Sequence, residues 1–96
     1  MKKSILIVDD DPNILELLNV NIKVAGYNVT TVMNGKEALV YMQTNRPDLI
    51  VLDVMMPEMD GWELCKIVKD DRELDEIKIL LLTCLLYTSR LNLRGK

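Results

Sequence analysis

The sequence has few of the features that mark specialised classes of protein. Its two cysteines, Cys65 and Cys84, are too few for a disulfide framework and favour a reducing, cytoplasmic setting. Its most apolar stretch, residues 79–87, is too short to span a bilayer. The apolar run after Lys2 and Lys3 is short and ends in aspartates, so we do not expect a signal peptide.

An excess of positive charge is also missing. The 96 residues include 12 basic and 15 acidic side chains, a net charge of −3, so we expect neither direct nucleic-acid binding nor membrane association. Hydrophobic residues make up 49% and charged residues 28%, as in ordinary globular chains, and the length allows one domain. The charge is uneven, because residues 84–96 contain three basic residues and no acid.

Short apolar runs alternate along the chain with helical patterns. We predict strands over residues 4–8, 27–32, 49–52 and 77–82, and helices over residues 12–25, 35–44 and 62–69. Asp11 before Pro12 is typical of a helix start, as is Asn34, and Gly26 is typical of a helix end. This order predicts an α/β fold with a parallel sheet and right-handed crossovers. One face of the first helix is predicted to be apolar, through Ile14, Leu17, Leu18, Ile22 and Ala25.

Carboxylates follow two of the predicted strands. Asp9 and Asp10 come after the first strand and Asp53 after the third, and a strand order of 2-1-3-4 would bring the three together. Clustered carboxylates stay ionised only if a cation or hydrogen bonds compensate them, and Mg²⁺ prefers such oxygen ligands. An aspartate in such a site can also act as a nucleophile and become an aspartyl phosphate. Taken alone, the run of three aspartates is more typical of a helix cap with surface charge, and Asp53 alone is ambiguous. Acids after two apolar strands at this spacing favour a site.

Two further positions are candidates on weaker grounds. The loop over residues 55–61 contains Pro57 and can turn the backbone carbonyl of Met55 towards a metal, although a plain connection is the simpler interpretation. Thr83 ends the fourth predicted strand, where its hydroxyl can donate a hydrogen bond to a phosphoryl oxygen. As a single residue, it is also compatible with an ordinary strand end.

Three segments together resemble a known family. Residues 5–11 (ILIVDDD), residues 48–61 (DLIVLDVMMPEMDG) and residues 78–83 (KILLLT) resemble the corresponding segments of bacterial response-regulator receiver domains. The resemblance covers residues 1–83. It implies a flavodoxin-like (CheY-like), doubly wound parallel sheet.

The resemblance also implies a role for each candidate residue. Asp53 would be the phosphoacceptor, and Asp10 and Asp53 would bind Mg²⁺ directly, with Asp9 acting through water. The carbonyl of Met55 would complete the protein ligands, and Thr83 would contact the phosphoryl group and move on activation. The phosphoryl donor would be a phosphohistidine on a sensor histidine kinase or on a phosphotransfer protein.

The resemblance ends at Thr83. The family continues with a fourth helix, a fifth strand that ends in a lysine, and a fifth helix, and none of these has a counterpart in residues 84–96. We therefore expect a partial receiver domain over residues 1–83 and a non-family tail, artefactual or disordered, over residues 84–96. No effector domain is recognised.

Two alternative functions remain open beside that of a signalling receiver, which would not be an enzyme. A haloacid-dehalogenase-like phosphohydrolase also uses an aspartyl phosphate and Mg²⁺. Such an enzyme requires an Asp-x-Asp-x-Thr-like motif after the first strand, and residues 9–13 read Asp-Asp-Asp-Pro-Asn. The other alternative is a receiver fragment that folds poorly and is inactive.

Overall fold

Four parallel strands and three helices alternate along the part of the chain that the structure, a computed structural model, describes: residues 2–53 and 61–81. The elements are β1 (Ser4–Val8), α1 (Pro12–Val24), β2 (Asn28–Val32), α2 (Gly35–Tyr41), β3 (Leu49–Leu52), α3 (Gly61–Asp70) and β4 (Lys78–Leu81). The strands form one sheet in the order β2-β1-β3-β4. The predicted α/β fold is confirmed, with element ends that differ by up to three residues.

The two central strands, β1 and β3, are apolar on both faces because helices pack on both sides of the sheet. On one face, Leu6 and Ile50 join α2 and α3 in the larger core, which contains Leu6, Val8, Ala38, Met42, Ile50, Leu52, Leu64, Val68, Leu74 and Ile77. On the other face, Ile7 and Val51 pack with Leu15 of α1. The sheet is therefore doubly wound, and its α1 side has the thinner cover among the described residues.

The first helix is capped as predicted, and Leu18 and Ile22 of its predicted apolar face pack against the core, whereas Leu17 does not. The side chain of Asp11 accepts a hydrogen bond from the backbone N–H of Asn13 at 2.9 Å, and Gly26 ends the turn after the helix with φ +105°. Leu15 is buried, whereas Leu17 is 58% exposed, so the prediction that Leu17 lies on the packed face was wrong. The two positions lie about 200° apart around a helix, and α1 carries apolar side chains in both directions.

The second helix begins with a reciprocal pair of side-chain hydrogen bonds. Asn34 accepts from the backbone N–H of Glu37 at 2.9 Å, and the carboxylate of Glu37 accepts from the backbone N–H of Met33 at 2.8 Å. These contacts satisfy backbone donors that have no partner within the helix. The helix ends at Tyr41 rather than at the predicted residue 44.

Side chains from α3 and from the connection between α2 and β3 contact the segment that leads to β4. The ammonium group of Lys69 donates to the carbonyl oxygens of Asp75 at 3.0 Å and Ile77 at 2.8 Å. Arg46 forms a salt bridge with Glu73 at 2.8 Å. Within residues 2–53 and 61–81, no helix has both the length and the apolar character needed to cross a membrane.

Candidate metal centre

Three carboxylates converge where β1 and β3 end, side by side. Val8 and Leu52 are register partners, and each is followed by an aspartate. The backbone N–H of Asp53 donates to the carbonyl oxygen of Val8 at 3.0 Å. One carboxylate oxygen from each of Asp9, Asp10 and Asp53 lies within 4.8 Å of the others. The strand order thus brings together residues that are more than forty positions apart in the sequence.

The three consecutive aspartates after β1 have different surroundings. Asp9 is buried, with 4% of its surface exposed, and its Oδ1 accepts a hydrogen bond from the backbone N–H of Asp11 at 2.9 Å. Its own N–H donates to the carbonyl oxygen of Val32 at 3.2 Å. Asp10 is exposed, and Asp11 caps α1. Asp9 and Asp10 therefore belong to the cluster, while the carboxylate of Asp11 is used by the helix.

The electrostatics of the cluster disfavour a buried negative charge. Burial raises the pKa of Asp9 to about 6, and the carboxylates of Asp53, Asp10 and Asp11 add to this, although the hydrogen bond from the Asp11 backbone opposes it. A cation between the three side chains would offset both effects. Hard oxygen donors at adjacent strand ends, with exposed Asp10 leaving room for water, fit the coordination that Mg²⁺ prefers.

The other two predicted site residues, Met55 and Thr83, lie outside the described residues, so their roles stay predictions. Sequence reasoning assigned no role to Asp48, which the structure shows hydrogen-bonded to Ser4. No sequence pattern indicated this contact, because it joins two residues that are 44 positions apart.

Comparison with known proteins identifies the family. Residues 5–89 match the response regulator receiver domain. The chain belongs to this family. The match runs past Thr83, where the resemblance in the sequence analysis ended. Membership favours the receiver over the phosphohydrolase interpretation, because receivers are the phosphoaccepting partners of histidine kinases in two-component systems and bind Mg²⁺ at an acidic cluster.

Curated relatives of this receiver are transcriptional regulators. It is 47% identical over 80 residues to the alkaline phosphatase synthesis transcriptional regulatory protein PhoP of Bacillus subtilis, an alignment that covers 83% of this chain and 33% of the relative. It is 40% identical to the DNA-binding dual master transcriptional regulator RpaA of Synechocystis, over 84% of this chain and 34% of the relative. The chain thus spans about a third of the length of the curated relatives it matches. Because RpaA binds DNA, the comparisons do not support the prediction that nucleic acid is not a partner.

Solved receiver structures share the fold. A signal receiver domain of a histidine kinase from Syntrophus aciditrophicus is 44% identical with a TM-score of 0.81, covering 83% of this chain and 61% of that one. The response regulator TrrA from Thermotoga maritima, solved in complex with Mg²⁺ and BeF, is 39% identical with a TM-score of 0.76. That alignment covers 82% of this chain and 67% of TrrA. The flavodoxin-like, CheY-like fold class is confirmed.

Proposed function

We propose that the chain is a phosphoaccepting receiver that takes a phosphoryl group from a histidine kinase, or from a phosphotransfer protein, onto Asp53. The observation that carries the proposal is the convergence of the carboxylates of Asp9, Asp10 and Asp53 within 4.8 Å at adjacent strand ends. In this role the chain is a substrate of the relay and not an enzyme with a separate substrate. We propose a cytoplasmic location, where the phosphohistidine donor would be presented.

The three carboxylates have different roles in binding Mg²⁺ in this proposal. Asp10 and Asp53 bind it directly, and the backbone carbonyl of Met55 adds a ligand. Asp9 acts through water, which agrees with its burial and with the use of one of its oxygens by the Asp11 backbone. Bound Mg²⁺ neutralises charge that develops on the transferred phosphoryl oxygens.

We assign Asp53 as the nucleophile because it holds the position, just after β3, that the resemblance to receiver domains gives to the phosphoacceptor. One of its carboxylate oxygens forms a bond to phosphorus while the P–N bond to the donor histidine breaks. The electron pair of that bond stays on the imidazole nitrogen, and a proton from solvent makes the departing imidazole ring neutral. The hydroxyl of Thr83 then donates a hydrogen bond to the phosphoryl group. We retain the division into a receiver portion over residues 1–83 and a tail over residues 84–96, although the family match extends to residue 89.

Phosphorylation by a small donor tests the assignment. The 96-residue chain is incubated with acetyl phosphate and Mg²⁺, and intact-mass spectrometry is used to count added phosphoryl groups. One group, added slowly or in low yield, is expected in the wild type, and none in Asp53→Asn. Asp11→Asn is the matched control, because asparagine also caps helices and Asp11 uses its carboxylate on α1. Modification that persists in Asp53→Asn would refute the site.

A further inference from the structure

Hydrogen bonds join β1 and β3 at their amino-terminal ends, the opposite end of the sheet from the acidic cluster. Asp48 lies just before β3, and its Oδ2 accepts from the backbone N–H of Ser4 at 2.8 Å and from the Ser4 hydroxyl at 3.4 Å. The N–H of Asp48 donates to the carbonyl oxygen of Ser4 at 2.8 Å. Its own carbonyl oxygen accepts from the N–H of Lys78 at 3.4 Å. Asp48 is therefore bonded to both strands that flank β3.

The number of residues between the contact with Asp48 and the acidic cluster is the same on β1 and on β3. Asp9 is five residues after Ser4, and Asp53 is five residues after Asp48. The pairs between them stay in register from Ile5 opposite Leu49 through to the last residues of the two strands. The register fixed by Ser4 and Asp48 at the amino-terminal ends therefore determines whether Asp9 and Asp53 lie side by side at the carboxyl ends.

Apolar packing alone specifies this register poorly. In a sheet with one apolar face, a slip of one residue exposes the core, but β1 and β3 are apolar on both faces. A slip of two residues preserves even the direction of each side chain and moves one carboxylate past the other by about 6.6 Å. A carboxylate that accepts from a backbone N–H is a directional contact, and in the observed register it joins Asp48 to Ser4.

We infer that Asp48 is a positioning residue for the acidic cluster: its bonds to Ser4 hold β1 and β3 in the register that places Asp9 and Asp53 at one level. The inference rests on the proposed function, since the alignment of Asp9 and Asp53 matters for binding Mg²⁺. Asp48 itself does not touch the site and acts only through the strands.

Magnesium affinity provides a measurement that loss of stability alone does not change. Mg²⁺ is titrated into the 96-residue chain while the fluorescence of Trp62, the single tryptophan, is followed at a temperature where every variant is folded by circular dichroism. Asp48→Ala is expected to weaken Mg²⁺ binding about tenfold, the lower end of the effect of residues that orient metal ligands. Asp48→Asn keeps an oxygen acceptor for the Ser4 N–H and is expected to bind Mg²⁺ nearly as the wild type does.

A core variant separates positioning from general destabilisation. Val68 is fully buried on α3, so Val68→Ala is expected to lower Tm without changing Mg²⁺ affinity in the folded protein. If Asp48→Ala does not fold, Asp48→Glu carries the test, because it keeps the charge but displaces the oxygen. Wild-type affinity in folded Asp48→Ala, or in Asp48→Glu where that variant carries the test, would overturn the positioning role alone. A wild type that does not respond to Mg²⁺, or an unchanged affinity in Asp10→Ala, would overturn the proposed function and this inference together.

Discussion

The backbone N–H of Asp53 donates to the carbonyl oxygen of Val8 at 3.0 Å, so the two strands that carry the acidic cluster are bonded to each other directly beneath it. Asp9 and Asp10 extend one of these strands, and Asp53 extends the other. A cation held by all three carboxylates would therefore join the strands a second time. Binding of Mg²⁺ and stability of the sheet should be coupled.

We predict that Mg²⁺ raises the thermal stability of the chain and that Asp10→Ala removes most of this effect. A ligand that binds only the folded state at a hundred times its Kd adds about 2.7 kcal/mol to the free energy of unfolding. The measurement is Tm by circular dichroism against Mg²⁺ concentration. Asp11→Asn should retain the wild-type increase, and an equal increase in Asp10→Ala would contradict the ligand assignment.

Removing the charge of Asp9 should stabilise the metal-free protein at neutral pH. Its pKa rises from 3.8 to about 6 on folding, so the contribution of protonated Asp9 to stability is full below about pH 3.8 and is lost as pH rises through 6. Asp9→Asn should therefore gain up to about 3 kcal/mol over the wild type at pH 7, in the absence of divalent cations. Urea unfolding of both proteins from pH 4 to pH 7 measures the difference, which should widen with pH. A difference that does not change with pH would rule out this explanation.

Loss of the cap on α2 should destabilise the fold moderately. Asn34→Ala removes the acceptor for the Glu37 N–H and is expected to cost about 1 kcal/mol of unfolding free energy. Asn34→Asp retains a capping oxygen and serves as the control. Chemical denaturation of the three proteins gives the comparison, and equal loss in both variants would show that the cap contributes nothing.

The exposed side of β4 should promote self-association of the chain. Leu80 is 45% exposed and lies opposite Val51, on the thinly covered α1 side of the sheet. Leu80→Lys is expected to reduce light scattering and the amount of large species on size exclusion, with little change in Tm. Ile79→Lys is the matched control, because Ile79 packs against the larger core and its replacement should lower Tm. Unchanged scattering in Leu80→Lys would place the association elsewhere.

The sequence was sufficient to predict the strands of the sheet, and their observed order is the one under which the carboxylates were expected to converge. β1, β3 and β4 are short apolar runs between polar residues, whereas β2 is marked by β-branched residues. Because the strands are parallel, Asp9 and Asp53 lie at the same end of the sheet. The helix starts at Asp11 and Asn34 could also be predicted from the sequence, because capping is a local interaction.

Tertiary packing decided what the sequence left open. Apolar residues surround most of α1, so spacing did not distinguish the buried Leu15 from the exposed Leu17. The raised pKa of Asp9 arises from burial and from carboxylates on a distant segment, neither of which a local pattern records. The contact between Asp48 and Ser4 joins residues 44 positions apart through the Asp48 side chain, so no periodic pattern in the sequence predicts it.

The equal spacing from Ser4 to Asp9 and from Asp48 to Asp53 constrains how the gene for such a chain can change. Inserting or deleting one codon within either stretch would shift a carboxylate by about 3.3 Å and turn every following side chain to the opposite face. Substitutions among valine, leucine and isoleucine in the same stretches would leave the level of the carboxylates unchanged. Among descendants of this sequence, the number of residues between these paired positions should therefore vary less than the residues themselves.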